Sequence, residues 1–464
     1  MVSSTGNERR LFGTDGVRGV ANVEPVTAET ALKLGRAAAH VFKSRSPVAK
    51  GHARHKIVIG KDTRLSGYML ENAIASGVLS MGVDVLLIGP LPTPGVAYIT
   101  RSLRADAGIV LTASHNPYED NGIKFFRDDG YKLDDAIEAE IENLVFSGEI
   151  EKIRPTADDI GKAVRIDDAL GRYVEFAKAA FPKGMTLEGL RVIVDAGHGA
   201  TYKSTPCVLR ELGARVTVLN NTPDGTNINK GCGSTHPDVV CGYVRQLGAD
   251  VGISHDGDGD RVQLCDENGV LVDGDDVLAI TALDWLSRGQ LKKNTLVATE
   301  MSNLGLDHTI RQAGGNVVRT QVGDRYVLER MLRDDLNVGG EQSGHMIFRD
   351  FTTTGDGIIS ALQVLRIMMD TGKPLSKLRQ VVEKFPQVVV NVKVKSKPAW
   401  DTMPDVLQLV KEAEATLGNE GRVFLRYSGT EPKARLLIEG RDGTEIKTLA
   451  DKIASRIREQ IGAS

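Results

Sequence analysis

One pattern recurs three times along this chain and restricts what it can fold into. A short β-branched apolar strand ends in a polar loop, a helical stretch follows, and a glycine-rich turn opens a second strand. The first copy runs HKIVIGKDTR, ENAIASGVLSMG, VDVLLIG; the second LRVIVDAGHGA, PCVLRELG, ARVTVLN; the third NTLVATEMSN, DHTIRQAGG, NVVRTQV. Continuous apolar strands alternating with helices predict βαβ units in sheets covered on both faces. Functional loops then belong beyond the carboxyl ends of the strands, near Lys61, Asp195 and Glu300 or after the second strands. From about Phe385 the order changes: strand QVVVNVKVKSK, helix DVLQLVKEAEATLG, strands RVFLRYSG and ARLLIEG, and helix EIKTLADKIASRIREQI. That order predicts a smaller α+β module with its helices to one side. With 464 residues to distribute, the expected domains are 1–165, 166–267 and 268–378, all α/β, and 379–464, α+β.

Composition removes several classes of function. Lys plus Arg total 58 against 61 Asp plus Glu, leaving no basic excess for nucleic acid. The four cysteines form no C-x-x-C pair, and so few thiols fit a reducing cytoplasm. No apolar run approaches the roughly 18 residues of a membrane span, and the start lacks a signal-peptide core. A P-loop and a complete G-x-G-x-x-G are also missing, which weakens nucleotide kinase and dinucleotide readings. A soluble, cytoplasmic protein with a small-molecule partner is the expectation.

Four loops carry chemistry. Thr112-Ala113-Ser114-His115-Asn116-Pro117 follows the apolar run GIVL, which would present the Ser114 hydroxyl above a sheet; a serine capping a turn is the alternative. Lys124, ten residues on, can return an amine to the same place. Asp256-Gly257-Asp258-Gly259-Asp260-Arg261 sets three carboxylates at alternate positions of a segment read as extended, all pointing one way. Their mutual repulsion calls for a hard divalent cation with open coordination, best matched by Mg²⁺. An EF-hand would need glycine where Arg261 stands. Gly340-Glu341-Gln342-Ser343-Gly344-His345 mixes donors and acceptors suited to a polyol. Arg426-Tyr427-Ser428-Gly429-Thr430-Glu431-Pro432, with Arg435 nearby, reads as a phosphate cradle or as a Ser-Gly hairpin turn.

In order and spacing, TASHNP, DGDGDR, GEQSGH and RYSGTEP resemble the four signature loops of the α-D-phosphohexomutase superfamily. The resemblance covers nearly the whole chain and implies three similar α/β domains plus a C-terminal α+β domain around a central cleft. It implies that Ser114 is a phosphoserine and that Mg²⁺ is held by Ser114, Asp256, Asp258 and Asp260. By the same resemblance His115, Asn116, Arg261, Glu341, Ser343, Arg426, Ser428, Gly429, Thr430 and Arg435 contact the phosphosugar. Lys124, His345 and Arg18 are the candidate acids and bases, with arginine better suited to clamping charge. Three further stretches, LFGTDGVRG, EQSGH and DGTNINKGCGSTHP, resemble the branch acting on glucosamine phosphates. This implies interconversion of glucosamine 6-phosphate and glucosamine 1-phosphate through a glucosamine 1,6-bisphosphate. A mutase for neutral hexose phosphates and a non-catalytic phosphosugar sensor are the alternatives. Relatives imply a homodimer; the segment from Lys43 to His55 has no assigned role.

Overall fold

The computed structural model describes residues 11–13, 15–45, 54–428 and 432–463. By compactness the chain forms two units, residues 1–299 with 318–381, and residues 300–317 with 382–464.

The first sheet has six strands in the order Val17–Val20, Asp120–Arg127, Ala107–Leu111, Lys56–Lys61, Asp84–Pro90 and Ala163–Arg165. The strand Lys56–Lys61 pairs in parallel with Asp84–Pro90 on one side and Ala107–Leu111 on the other. Every residue of Ala107–Leu111 is buried. That explains its uninterrupted apolar sequence, because helices cover both faces of a strand in this position. Ile109 and Leu111 are wholly excluded from solvent, each contributing roughly 1.5–3 kcal/mol by burial.

The second sheet repeats the plan. Arg191–Asp195 lies between Arg215–Leu219 and Val251–His255, parallel to both, and two antiparallel strands extend the sheet. In the third sheet Thr295–Thr299 lies between Asn316–Thr320 and Val338–Gly340, with Met346–Phe348 at the edge. The three predicted βαβ copies are therefore present, with helices Ser66–Leu79, Thr201–Glu211 and Leu304–Gln312.

The expected position of the functional loops needs correction. In each sheet the second strand sits to one side of the first, and the third strand to the other. The chain reverses its winding there, so the loops after the first and third strands diverge and leave a crevice. The serine loop follows the third strand Ala107–Leu111, and the carboxylate loop follows the third strand Val251–His255. The ends of the first strands make other contacts. Asp195 accepts hydrogen bonds from Gly197 N and Asn220 Nδ2 through Oδ1 and from Gly233 N through Oδ2, and Lys61 is paired with Glu71 at 2.5 Å.

The second unit contains the α+β module. Gln387–Lys393, Lys433–Glu439 and Arg422–Tyr427 form an antiparallel sheet in that order, joined by the helices Pro404–Leu417 and Gly443–Ile461. Residues 300–317 belong to this unit: Asn303 Oδ1 accepts from Phe385 N at 2.9 Å, and Arg422 Nη2 donates to Ser302 O at 2.7 Å. Of the unassigned stretch, Lys43–Arg45 ends the helix Ala28–Arg45 and residues 46–53 lie outside the described residues. No helix among the described residues is long and apolar enough to cross a membrane.

Candidate active site

Ser114 is buried and adopts φ +52°, the left-handed region that side-chain-bearing residues seldom enter. Its Oγ donates to Asp256 Oδ2 at 2.6 Å and lies 3.3 Å from His115 Nδ1. Burial, with Arg261 and Arg18 nearby, pushes the His115 imidazole down to about 4. Asn116 Nδ2 donates to Asp120 Oδ2 at 2.9 Å.

Asp256, Asp258 and Asp260 are buried, and one oxygen from each falls within a 4.8 Å cluster. They do not lie on extended backbone, as the alternation suggested. Residues 256–260 form a turn, with Gly259 at φ +70°, that wraps the carboxylates inward. Burial first, then the neighbouring Asp260 and Asp258, drives the Asp256 carboxyl well above the usual range. Asp258 Oδ1 and Asp260 Oδ1 are buried with no hydrogen-bond partner among the described residues. Buried acceptors without donors are costly, and a divalent cation with oxygen ligands satisfies them. The residues present fit such an ion.

A band of alternating charge surrounds the cluster. Lys124 Nζ is 3.0 Å from Asp15, 3.2 Å from Asp258 and 3.8 Å from Asp260. Burial opposes its charge, but Asp15 and Asp258 outweigh burial and hold the ammonium protonated. Arg18 is paired with Asp15, and Lys132 joins Asp15 to Asp324. His345 lies between Asp260 and Asp324, its Nδ1 and Nε2 each 3.6 Å from a carboxylate oxygen. Against the effect of burial, Asp260 raises the imidazole above its ordinary value. Asp260 is in turn held far below the carboxylate range, because His345 and Lys124 outweigh its own burial. Asp15, Lys132 and Asp324 were not foreseen as site residues, although Asp15 lies within the stretch LFGTDGVRG; they meet only in the fold.

The predicted sugar loop is joined to the carboxylate turn. Val262 N donates to Gly344 O at 3.0 Å, and Arg261 forms a backbone bridge with His345. Arg261 N also donates to Asp256 Oδ1 at 3.2 Å. Glu341 accepts from Gly323 N at 3.0 Å and from Ser343 Oγ at 3.4 Å. Gln342, in the same loop, directs its amide to Asp273 at 3.4 Å. Gly355 is small for a reason: a Cβ there would lie 2.3 Å from His345 Nε2.

In the second unit Arg426 and Arg435 are direct cross-strand partners. Like charges so placed repel unless an anion intervenes. Burial and then Arg435 lower the Arg426 guanidinium below its ordinary value, with Glu300 opposing. Ser428 is buried, and Lys397 Nζ donates to its carbonyl at 2.6 Å. Lys397 was not anticipated. Gly429 and Thr430 lie outside the described residues.

Four family models for phosphoglucomutase/phosphomannomutase match in order: α/β/α domain I over residues 9–152, domain II over 171–269, domain III over 273–385 and the C-terminal domain over 389–456. The phosphoglucosamine mutase of Syntrophotalea carbinolica is 57% identical, over 98% of this chain and 98% of its own. That of an Anaeromyxobacter strain is also 57% identical, over 98% and 96%. A phosphoglucomutase/phosphomannomutase family protein from Burkholderia thailandensis has the same fold, with a TM-score of 0.79 at 22% identity over 98% of this chain and 99% of its own. An Aspergillus fumigatus N-acetylphosphoglucosamine mutase, solved with GlcNAc-6P and magnesium, gives 0.65 at 18% identity over 97% and 96%. The chain belongs to the phosphoglucosamine mutase family, within the α-D-phosphohexomutase superfamily.

Proposed function

We propose that Ser114 is the phosphate carrier of this mutase, and that it exchanges phosphate between O6 and O1 of glucosamine through a 1,6-bisphosphate. The 2.6 Å contact of Ser114 Oγ with Asp256, inside a buried three-carboxylate cluster, carries the reading. Asp256, Asp258 and Asp260 would hold the divalent ion, taken to be Mg²⁺. When bound, that ion supplies charge withdrawal from a phosphoryl group and improves the serine oxygen as a leaving group.

Phosphoryl transfer needs position and charge neutralisation more than covalent chemistry. Lys124, kept protonated by Asp15 and Asp258, serves as a fixed positive charge beside Ser114 and can donate a proton to a departing oxygen. Arg18 and Arg261, with buried Nε–H groups that make no hydrogen bond among the described residues, can hold the oxygens of the moving phosphoryl. His345, placed against Asp260 and Asp324, is the second candidate for proton exchange with the sugar hydroxyl. Glu341 and Ser343 would contact the sugar, and Arg426 with Arg435, Ser428, Gly429 and Thr430 would grip the phosphate that is not reacting. The bisphosphate leaves Ser114 bare in mid-cycle and returns its other phosphate to it. A homodimer is part of the reading by resemblance alone.

The test is a chase. Enzyme loaded from doubly labelled glucosamine 1,6-bisphosphate should carry label on Ser114 and release it to unlabelled glucosamine 6-phosphate. Label on another residue, or faster turnover of glucose or mannose phosphates than of glucosamine phosphates in a coupled assay, would refute the reading.

A further inference from the structure

The left-handed backbone of Ser114 persists only if its surroundings impose it. Two buried side chains converge on that task. Arg64 Nη2 donates to Ser114 O and to Asn116 O, each at 2.8 Å. Asn229 Nδ2 donates to the same two carbonyls, at 2.9 and 3.0 Å. The rest of the Arg64 fork takes Asp120 O at 3.0 Å, the Pro117 carbonyl, and Asp62 Oδ2 at 2.8 Å. Asp62 accepts from Thr112 Oγ1 at 2.8 Å, and that oxygen accepts from Ser114 N at 2.9 Å. Both main-chain polar groups of Ser114 are thus held by one chain of bonds running through Arg64.

Arg64 is the largest fully buried side chain among the described residues and spends its guanidinium mainly on carbonyls. A planar five-donor fork suits that task where a lysine would not. Asn229 comes from the stretch Asp224–Pro237. It is itself left-handed at φ +58° and anchored by Asn229 N donating to Gly197 O at 2.9 Å. Asn229 also reaches the carboxylate turn. A Cβ on Gly257, between Asp256 and Asp258, would stand 2.6 Å from Ser114 O and 2.8 Å from Asn229 Nδ2. One amide therefore abuts both the serine loop and the turn that holds the carboxylates.

We infer that Arg64 and Asn229 are positioning residues that clamp the Ser114 loop against the Asp256–Asp260 turn and so fix the reach of Ser114 Oγ. The inference rests on the reading of Ser114 as phosphate carrier. Neither residue touches the reacting atoms, so their effect should fall on kcat.

Asn229→Ala separates the clamp from general stability, because Arg64 still satisfies both carbonyls. The expected loss is about a hundredfold in kcat, the scale of an ångström-size misplacement, with KM for glucosamine 6-phosphate nearly unchanged. Single-turnover phosphate transfer from the phosphorylated enzyme should slow by the same factor. Asn229→Asp, which sets a carboxylate against two carbonyls, should lose more. Arg64→Lys should also lose kcat, since a point charge cannot hold four carbonyls. A folded Asn229→Ala enzyme with wild-type kcat, or with its loss confined to KM, would overturn the clamp. Ser114→Ala distinguishes the two failures. If that variant loses covalent phosphate while Asn229→Ala is inert, only the clamp falls; if it keeps covalent phosphate, the carrier reading falls.

Discussion

Ser114 Oγ and Asp256 Oδ2 stand 2.6 Å apart although 142 residues of chain separate them. The contact joins the crevices of two successive sheets, each opened where the chain reverses its winding. It brings a serine with left-handed backbone to a turn in which two buried carboxylate oxygens lack hydrogen-bond partners among the described residues. Much of what the site does follows from this junction.

The carboxylate cluster should make stability depend on metal. Exhaustive chelation is expected to abolish turnover and lower the melting temperature, and Mg²⁺ should restore both. At a hundredfold excess over its Kd the ion should add about 2.7 kcal/mol. Asp258→Asn should bind the ion poorly and lose most of the thermal response in scanning fluorimetry. Equal melting temperatures with and without Mg²⁺ would contradict the assignment.

Gly355→Ala tests the seat of His345. The added Cβ would meet the imidazole at 2.3–2.4 Å, so the ring must leave its place between Asp260 and Asp324. A destabilisation of about 1–3 kcal/mol is expected from overpacking, with a larger proportional fall in kcat than in kcat of a distant overpacked control. Denaturant melts and steady-state kinetics on the same preparation check both.

Arg426→Ala should act on binding. Removing one charged fork from a phosphate costs about 1.5–3 kcal/mol, or roughly ten- to a hundredfold in KM. Arg435→Ala should behave alike, because the two guanidinium groups are cross-strand partners. Titration with inorganic phosphate should weaken in parallel.

Asp356, which caps the helix Gly357–Thr371, gives a pH dependence of its own. Burial raises its carboxyl to about 6, partly offset by hydrogen bonds from Ile359 N, Tyr173 OH and Ile358 N. A folded-state value above the unfolded one means the native protein binds the extra proton. Stability should therefore fall as pH rises from about 4 to about 6, by on the order of 3 kcal/mol. Asp356→Asn should remove that slope in urea melts across the range. A wild-type slope in the variant would refute it.

What the sequence revealed and what it hid divide along physical lines. The strands AGIVL and TLVAT were legible because burial on both faces demands largely apolar runs. The four loops were legible because each packs its chemistry into six or seven adjacent residues. The side of the first strand on which the third lies was not legible, since either side buries the same apolar residues. The carboxylates converge through a turn because Gly257 and Gly259 permit it, a choice that alternation alone cannot distinguish from extended backbone. Asp15, Lys132 and Asp324 escaped notice because single charges become a network only after folding brings them together. Arg64 and Asn229 escaped for the same reason, being partners of main-chain carbonyls that carry no side-chain signature.

The most direct measurement of the central claim is the intact mass of the purified enzyme after incubation with glucosamine 1,6-bisphosphate. The account predicts a gain of one phosphate that is lost on adding glucosamine 6-phosphate and never appears in Ser114→Ala. An unmodified mass in active wild-type enzyme, or a phosphate retained in Ser114→Ala, would contradict it.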